Sequence, residues 1–170
     1  MVREVSAGGV VLREISGVCN IALIEPRKEE SPGRSDRKRS NAVLALPKGL
    51  VDPGEKPPAT AVREVLEETG VTARVIEKLA DIKYMYVRTW GDGERVFKIV
   101  TFYLLAYEAG QIGDIAPEMG IEVKRALWVP LEEAPGQLAY GNERKVLRLA
   151  RDYLESHSGV THALARKSKE

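Results

Sequence analysis

Residues 49–71, GLVDPGEKPPATAVREVLEETGV, constrain this chain more than any other stretch. Pro57 and Pro58 suit the first turn of a helix, where a missing N–H leaves no bond unmade, and Gly70 suits the left-handed position just past a helix end. A helix of about three turns is therefore expected over 58–69. On it Glu64, Glu67 and Glu68 stand at i, i+3 and i+4 and share one face, while Ala61, Val62, Val65 and Leu66 line the opposite side. Carboxylates so close repel one another unless something intervenes. One reading is a solvated acidic face on which Arg63 pairs with Glu67. The preceding segment supports another. Leu46-Pro47-Lys48-Gly49 and Asp52-Pro53-Gly54 bend the chain repeatedly, so backbone carbonyls can face the carboxylates. Carboxylates, a carbonyl and water are hard oxygen donors, the set that Mg²⁺ or Mn²⁺ selects, usually together with substrate phosphates.

The rest of the composition narrows the setting. At 170 residues, 44% hydrophobic and 30% charged, the expectation is one domain over 1–158 with a core of its own, followed by a frayed tail at 159–170. A net charge of +1 creates no global field toward nucleic acid or a membrane, so neither is the expected partner. No apolar run reaches membrane-spanning length, and the charged N-terminus does not read as a signal peptide. The lone Cys19 leaves no intramolecular disulfide to form; it reads as a small core residue, and a reducing cytoplasm is the expected compartment. His157 and His162 read as surface residues, and no Ser or Cys has a supporting base nearby in sequence.

In order, a strand at 3–13 contains Gly8-Gly9, which permits close approach of another backbone. A turn at Ser16-Gly17 returns the chain through 18–24 as a hairpin. Residues 27–41, RKEESPGRSDRKRSN, hold no apolar side chain and read as a basic loop, either a bland connector or an electrostatic collar for a polyphosphate. After the helix, 72–78 reads as a strand and Ala80-Asp81 as a break. Ile82, Tyr84, Tyr86 and Arg88 then alternate with Lys83, Met85, Val87 and Thr89, the period of a half-buried strand. Gly91-Asp92-Gly93 is a turn, and 96–107 is apolar enough for a central strand buried on both faces. A loop at 110–120, a strand at 122–129, a helical turn after Pro130 and an amphipathic helix at 142–156 complete the chain. Val146, Leu149, Ala150, Tyr153 and Leu154 form the stripe of that last helix.

The pattern G-x5-E-x7-R-E-U-x-E-E-x-G-U, with U apolar, is met at Gly49, Glu55, Arg63, Glu64, Val65, Glu67, Glu68, Gly70 and Val71. Its seven fixed residue types, at roughly 6% usage each, would coincide by chance in far fewer than about one chain in a million. In this it resembles the Nudix hydrolases. The resemblance implies an α/β/α sandwich around a central mixed β-sheet, which the order of strands and helices supports. It also implies that Glu64, Glu67 and Glu68 ligate Mg²⁺ or Mn²⁺ with the Lys48 carbonyl, that Arg63 orients a glutamate by pairing with it, and that Glu55 supports the loop. A family glutamate often lies six residues before a downstream Trp, a spacing that Glu122 has from Trp128; Glu118 competes with it. An Arg commonly follows the second strand directly, whereas here Glu25-Pro26 precede Arg27, so its contact with phosphate stays open.

The implied chemistry is attack of water on a pyrophosphate phosphorus, with a carboxylate taking the proton and no covalent intermediate. The Leu46-Pro47-Lys48-Gly49 entry resembles that of Nudix enzymes cleaving dinucleoside polyphosphates or diphosphoinositol polyphosphates. Lys48 then adds a cation for phosphate, and Tyr84 and Tyr86 are candidates to stack on adenine, against the alternative of ordinary cross-strand aromatics. A dinucleoside polyphosphate such as diadenosine tetraphosphate is the expected substrate, with nucleotide-pool sanitising of 8-oxo-dGTP or hydrolysis of a diphosphoinositol polyphosphate as alternatives. An RNA-end processor or a non-catalytic binding module is a reading of another class, which the intact glutamates disfavour. A homodimer stays open.

Overall fold

The computed structural model describes residues 1–27, 43–88, 91 and 93–157. Most of the basic segment, 28–41, and the tail at 159–170 lie outside them. The first strand, β1 (Val2–Ile15), turns through Ser16 and Gly17 into β2 (Val18–Pro26). Both turn residues have positive φ, 50° and 80°, as a two-residue hairpin turn with the twist of its strands demands. Next come the short β3 (Lys48–Leu50), the motif helix α1 (Pro57–Thr69), β4 (Thr72–Val87) and β5 (Arg95–Ala109). A 3₁₀ turn (Pro117–Ile121), β6 (Val123–Pro130), α2 (Ala134–Gln137) and α3 (Gly141–Ser156) finish the described chain.

The strands make one sheet in the order β4-β5-β1-β2-β6, with β3 added against β1. Among the named strands β1 and β5 run parallel and the other pairs are antiparallel, so the sheet is mixed. β1 changes partner along its length: it pairs with β2 through residues 12–15 and with β3 through residues 6–8. Where β2 has left β1, the chain at Ala45 bridges to Ile24 and then crosses over to β1 at Lys48. That crossing needs Gly8, because a Cβ there would strike the Pro47 carbonyl oxygen and the Lys48 side chain. The close approach expected at Gly8-Gly9 is therefore present, and it sets the Lys48–Leu50 backbone on the middle of the sheet.

Two apolar layers cover the sheet. Ala61 and Val65 of α1 pack on Ala7, Val11, Ala22, Val71, Ala73, Tyr103 and Leu105. On the other face, Val146, Leu147 and Ala150 of α3 join Leu131, Ala134 and Leu138 over Val10, Leu12, Ile21, Leu23, Phe102 and Leu104. Helix, sheet and helix thus form the expected α/β/α sandwich. Cys19 packs against the second layer, and burial, helped by Glu14, raises its thiol pKa to about 11, as befits an unreactive core thiol. Among the described residues no helix is long and apolar enough to cross a membrane.

Several local expectations need correction. The face of α1 opposite the carboxylates was expected to be apolar, yet Leu66 is 47% exposed while Glu64 and Glu68 are buried at 8% and 5%. At roughly 100° per residue, Glu68 lies only about 60° around the axis from Val65, so the acidic and apolar stripes adjoin and both turn toward the sheet. In α3 the same geometry buries Leu147 and leaves Leu149 42% exposed. Ala80-Asp81 does not break the strand: β4 continues through it, with register shifts between Val75 and Glu77 and between Lys78 and Ala80 that absorb the irregularity as bulges. β5 is the inner strand expected, although full burial on both faces is confined to residues 100–106. The helical turn after Pro130 forms later, at α2.

Gly70 ends α1 in the left-handed region (φ 82°) and donates its N–H to the Leu66 carbonyl at 2.9 Å. A Cβ there would also lie 2.5 Å from the Asp114 carbonyl oxygen, whereas Gly54, at φ 79°, faces open space. Gly54→Ala should therefore cost about 1–2 kcal/mol, the left-handed penalty alone, and Gly70→Ala clearly more. Urea unfolding of the two variants checks this; equal losses would contradict the packing of the 111–114 loop on the helix end.

Candidate metal and nucleotide site

The acidic cluster owes its shape to one turn of backbone and one guanidinium. The Lys48 N–H donates to Glu68 Oε1 at 2.8 Å. At Gly49 a Cβ would fall on the Glu64 carboxyl group, so glycine is what lets that carboxylate lie flat against β3. Arg63 then ties loop to helix. Its Nε and Nη2 grip the two Glu55 oxygens at 2.8 and 2.9 Å, Nη1 reaches Glu64 at 2.9 Å and Glu67 at 3.1 Å, and Nη2 also donates to the Leu50 carbonyl at 3.0 Å. This fork geometry is one that lysine cannot reproduce. Glu55 further accepts from the Thr60 hydroxyl, and the bonds from Arg63 and Thr60 lower its pKa to about 2.

The buried members behave oppositely. Burial raises the Glu68 pKa to about 8; the Lys48 N–H counters this, while the charges of Glu64 and Glu122 add to it. Burial likewise raises Glu64, offset in part by Arg63 and reinforced by Glu67 and Glu122. Among the described residues, no group of three or more His, Cys, Asp or Glu side chains already converges as a ready-made metal cage. Mg²⁺ keeps several waters and takes one or two carboxylates plus substrate phosphates rather than a complete protein shell. An all-oxygen set with two carboxylates short of positive charge fits such a cation. Glu68, Glu64, Glu67 and the Lys48 carbonyl are the groups that would hold it.

Glu68 also reaches a cleft of about 680 Å³ on the α3 side of the sheet. One wall is β4 and β5, with Ile82, Tyr84, Val100 and Phe102; another is Ile24, Pro26 and Glu122; Ala45, Leu46 and Lys48 form the floor beside Glu68. The first turn of α3 closes it with Tyr140, Asn142 and Glu143. Glu143 is 4% exposed and accepts the Leu46 N–H at 2.6 Å, which fastens that turn to the segment entering the motif. The result is a largely apolar chamber with acidic and basic groups at one end, the usual form of a small-molecule site.

A family model described as the NUDIX domain matches residues 3–150. The chain belongs to the NUDIX domain family. A putative mutator protein MutT4 of Mycobacterium tuberculosis (strain CDC 1551 / Oshkosh) is 38% identical over 157 residues, 91% of this chain and 57% of that protein. An 8-oxo-(d)GTP phosphatase of Mycolicibacterium smegmatis is 38% identical over 104 residues, 61% of this chain and 29% of that protein. The chain thus spans between about a third and just over half of these relatives' lengths. Among solved structures, a C. elegans Ap4A hydrolase in a binary complex shares the fold with a TM-score of 0.64 at 23% identity, covering 90% of this chain and 98% of that one. The NUDIX domain of Shewanella oneidensis NrtR, complexed with ADP ribose, does so with a TM-score of 0.61 at 18% identity, covering 91% and 90%.

Within this NUDIX domain the residues singled out from sequence are only partly brought together. Lys48, Glu68, Tyr84 and Glu122 share the cleft. Glu64 and Glu67 stand beside Glu68 on α1, linked through Arg63, whose principal partner is Glu55. Glu118 sits exposed on the 3₁₀ turn and does not line the cleft. Tyr86 does not line it either: its hydroxyl donates to Glu4 at 3.1 Å, and its ring is tilted against Tyr84 at 6.4 Å. Arg27 is exposed and bonds to the carbonyls of Gly120 and Glu122, so it braces the backbone that carries Glu122. Tyr140, Asn142 and Glu143 escaped the sequence reading. Their one local signal was an acid in the first turn of a helix, which reads as favourable to the helix dipole and says nothing about what that turn covers.

The Glu68 shift has a pH signature. The folded-state pKa lies above the ordinary 4.5, so the native state binds the proton more tightly, and stability is lost as pH rises from about 4.5 through about 8. In EDTA the protein should therefore melt lower at pH 8 than at pH 5.5, and Glu68→Gln should flatten the slope. Mg²⁺ at pH 8 should restore the wild-type melting temperature and leave the variant nearly unmoved. Parallel pH slopes for the two proteins would contradict the buried-carboxylate assignment.

Proposed function

We propose that this NUDIX chain is a divalent-cation-dependent pyrophosphohydrolase acting on nucleoside diphosphates linked to a further group. The observation that carries the reading is the pair of buried carboxylates, Glu64 and Glu68, held against the Lys48–Leu50 backbone, with Glu68 reaching a nucleotide-sized cleft. A stable fold gains nothing from two such groups without a cation, whereas a binding module has no use for them. A bound divalent cation supplies charge neutralisation at the pyrophosphate and a more acidic water. Glu122, exposed on the cleft wall and close enough to raise both buried carboxylates, is our candidate to take the proton from the attacking water. Lys48 offers a cation to phosphate oxygens, and Arg63 keeps the carboxylates in register with the loop.

For the substrate we infer a dinucleoside polyphosphate such as diadenosine tetraphosphate. Lys48 beside Glu68 and the half-exposed Tyr84 ring on the cleft wall support it, while Tyr86 no longer does. The name of the C. elegans relative in fold points the same way. A second reading, an oxidised guanine nucleotide, is favoured by the mycobacterial relatives, which are the nearer in sequence of those described.

Glu68→Gln should lower kcat by about 100-fold or more in saturating Mg²⁺ while the fold stays intact. Near-normal turnover would remove the metal assignment, and retained nucleotide binding with no wild-type turnover would favour the binding module. A panel of diadenosine tetraphosphate, 8-oxo-dGTP, ADP-ribose, diphosphoinositol pentakisphosphate and NADH ranks the substrates by kcat/KM. If 8-oxo-dGTP leads, the second reading replaces the first. Tyr84→Ala should raise KM for the dinucleotide roughly 10-fold through lost stacking; unchanged kinetics would remove that contact.

A further inference from the structure

Next to the cleft, though not among the residues that line it, a second lysine stands where the sequence gave no reason to look. Lys98 lies on β5 two residues before Val100, which lines the cleft, and opposite Tyr84 on β4, which also lines it. On its other side it faces Glu4 of β1, whose carboxylate is 4.0 Å from the ammonium. The Lys98 side chain is only 17% exposed. Burial and the positive charge of Lys48 both push its pKa down, and Glu4 offsets them only in part. Glu4 is shared, because it also accepts from Tyr86 at 3.1 Å and lies 3.8 Å from Arg88. A half-buried ammonium whose one carboxylate is divided among Lys98, Tyr86 and Arg88 gains from an added anion.

We propose that Lys98, together with Lys48, forms a second phosphate subsite beside the cleft, which takes the part of a polyphosphate chain beyond the phosphates held at the α1 carboxylates and so selects for longer chains. The inference rests on the reading of the cleft as a nucleotide site. Lysine suits this role as a point charge on a flexible stem, which accepts phosphate oxygens without demanding one orientation. Without ligand, Glu4 holds the ammonium beside the cleft. An arriving phosphate competes with it and wins by carrying more charge.

The test is calorimetric titration of the full chain in Mg²⁺ with methylene-bridged analogues of adenosine 5′-tetraphosphate, which resist turnover, and with AMP. Wild type should bind the tetraphosphate at least 10-fold more tightly than AMP. Lys98→Met should weaken tetraphosphate binding about 10-fold and AMP binding less than twofold; Lys98→Arg should restore most of the loss, and added salt should shrink the difference. Glu4→Gln keeps an acceptor for Tyr86 but removes the competing charge, so it should tighten tetraphosphate binding a few-fold. Equal weakening of both ligands by Lys98→Met, no weakening of either, or looser binding in Glu4→Gln would reduce Lys98 to a structural partner of Glu4 and overturn the proposal. Failure of the catalytic reading appears elsewhere: absent pyrophosphate cleavage with the tetraphosphate preference intact would sink the activity and leave the subsite standing.

Discussion

Two carboxylates buried against a turn of backbone are the constraint around which this molecule is arranged. Glu68 is satisfied by a single main-chain N–H from Lys48, and Glu64 lies where any residue but glycine at 49 would collide with it. Neither would stay buried in this arrangement if helix α1 were free to roll. What prevents the roll is the packing of Ala61 and Val65 on the sheet and the grip of Arg63 on Glu55, Glu67 and the Leu50 carbonyl. The same guanidinium is thus both a charge for the cluster and a strut between loop and helix.

The sheet topology makes that arrangement possible. β1 hands its edge from β2 to β3 midway along its length, and the segment that makes the exchange carries Lys48. The acidic helix lies on one face of the sheet and the cleft on the other, and the exchange point lets Glu68 reach from one to the other. Glu143 fastens the far side of the cleft to the same segment through Leu46.

How much of this was legible in the sequence depended on whether the signal was local. The hairpin at Ser16-Gly17, the proline-started and glycine-ended motif helix, and the terminal amphipathic helix were all readable because turn chemistry and periodicity act over a few residues. The grouping of Glu64, Glu67 and Glu68 was readable for the same reason. Their burial was not: a helical wheel gives relative angles, and only the docked helix fixes which side meets the sheet. Tyr84 and Tyr86 looked equivalent by strand alternation, and the difference between them is Glu4, which lies 82 residues away in sequence along another strand. Arg27 and Glu143 likewise take their places through long-range hydrogen bonds that no window of sequence contains.

The central claim is that the buried carboxylates form a divalent-cation site completed by backbone and substrate. Electron paramagnetic resonance of Mn²⁺ titrated into the protein tests it most directly, since free and bound Mn²⁺ give distinct signals without any need for turnover. The account predicts saturable binding by wild type near neutral pH, competed by Mg²⁺, strengthened by a nucleotide polyphosphate, and lost or greatly weakened in Glu64→Gln and Glu68→Gln. Mn²⁺ binding that is unaltered in both variants would contradict it.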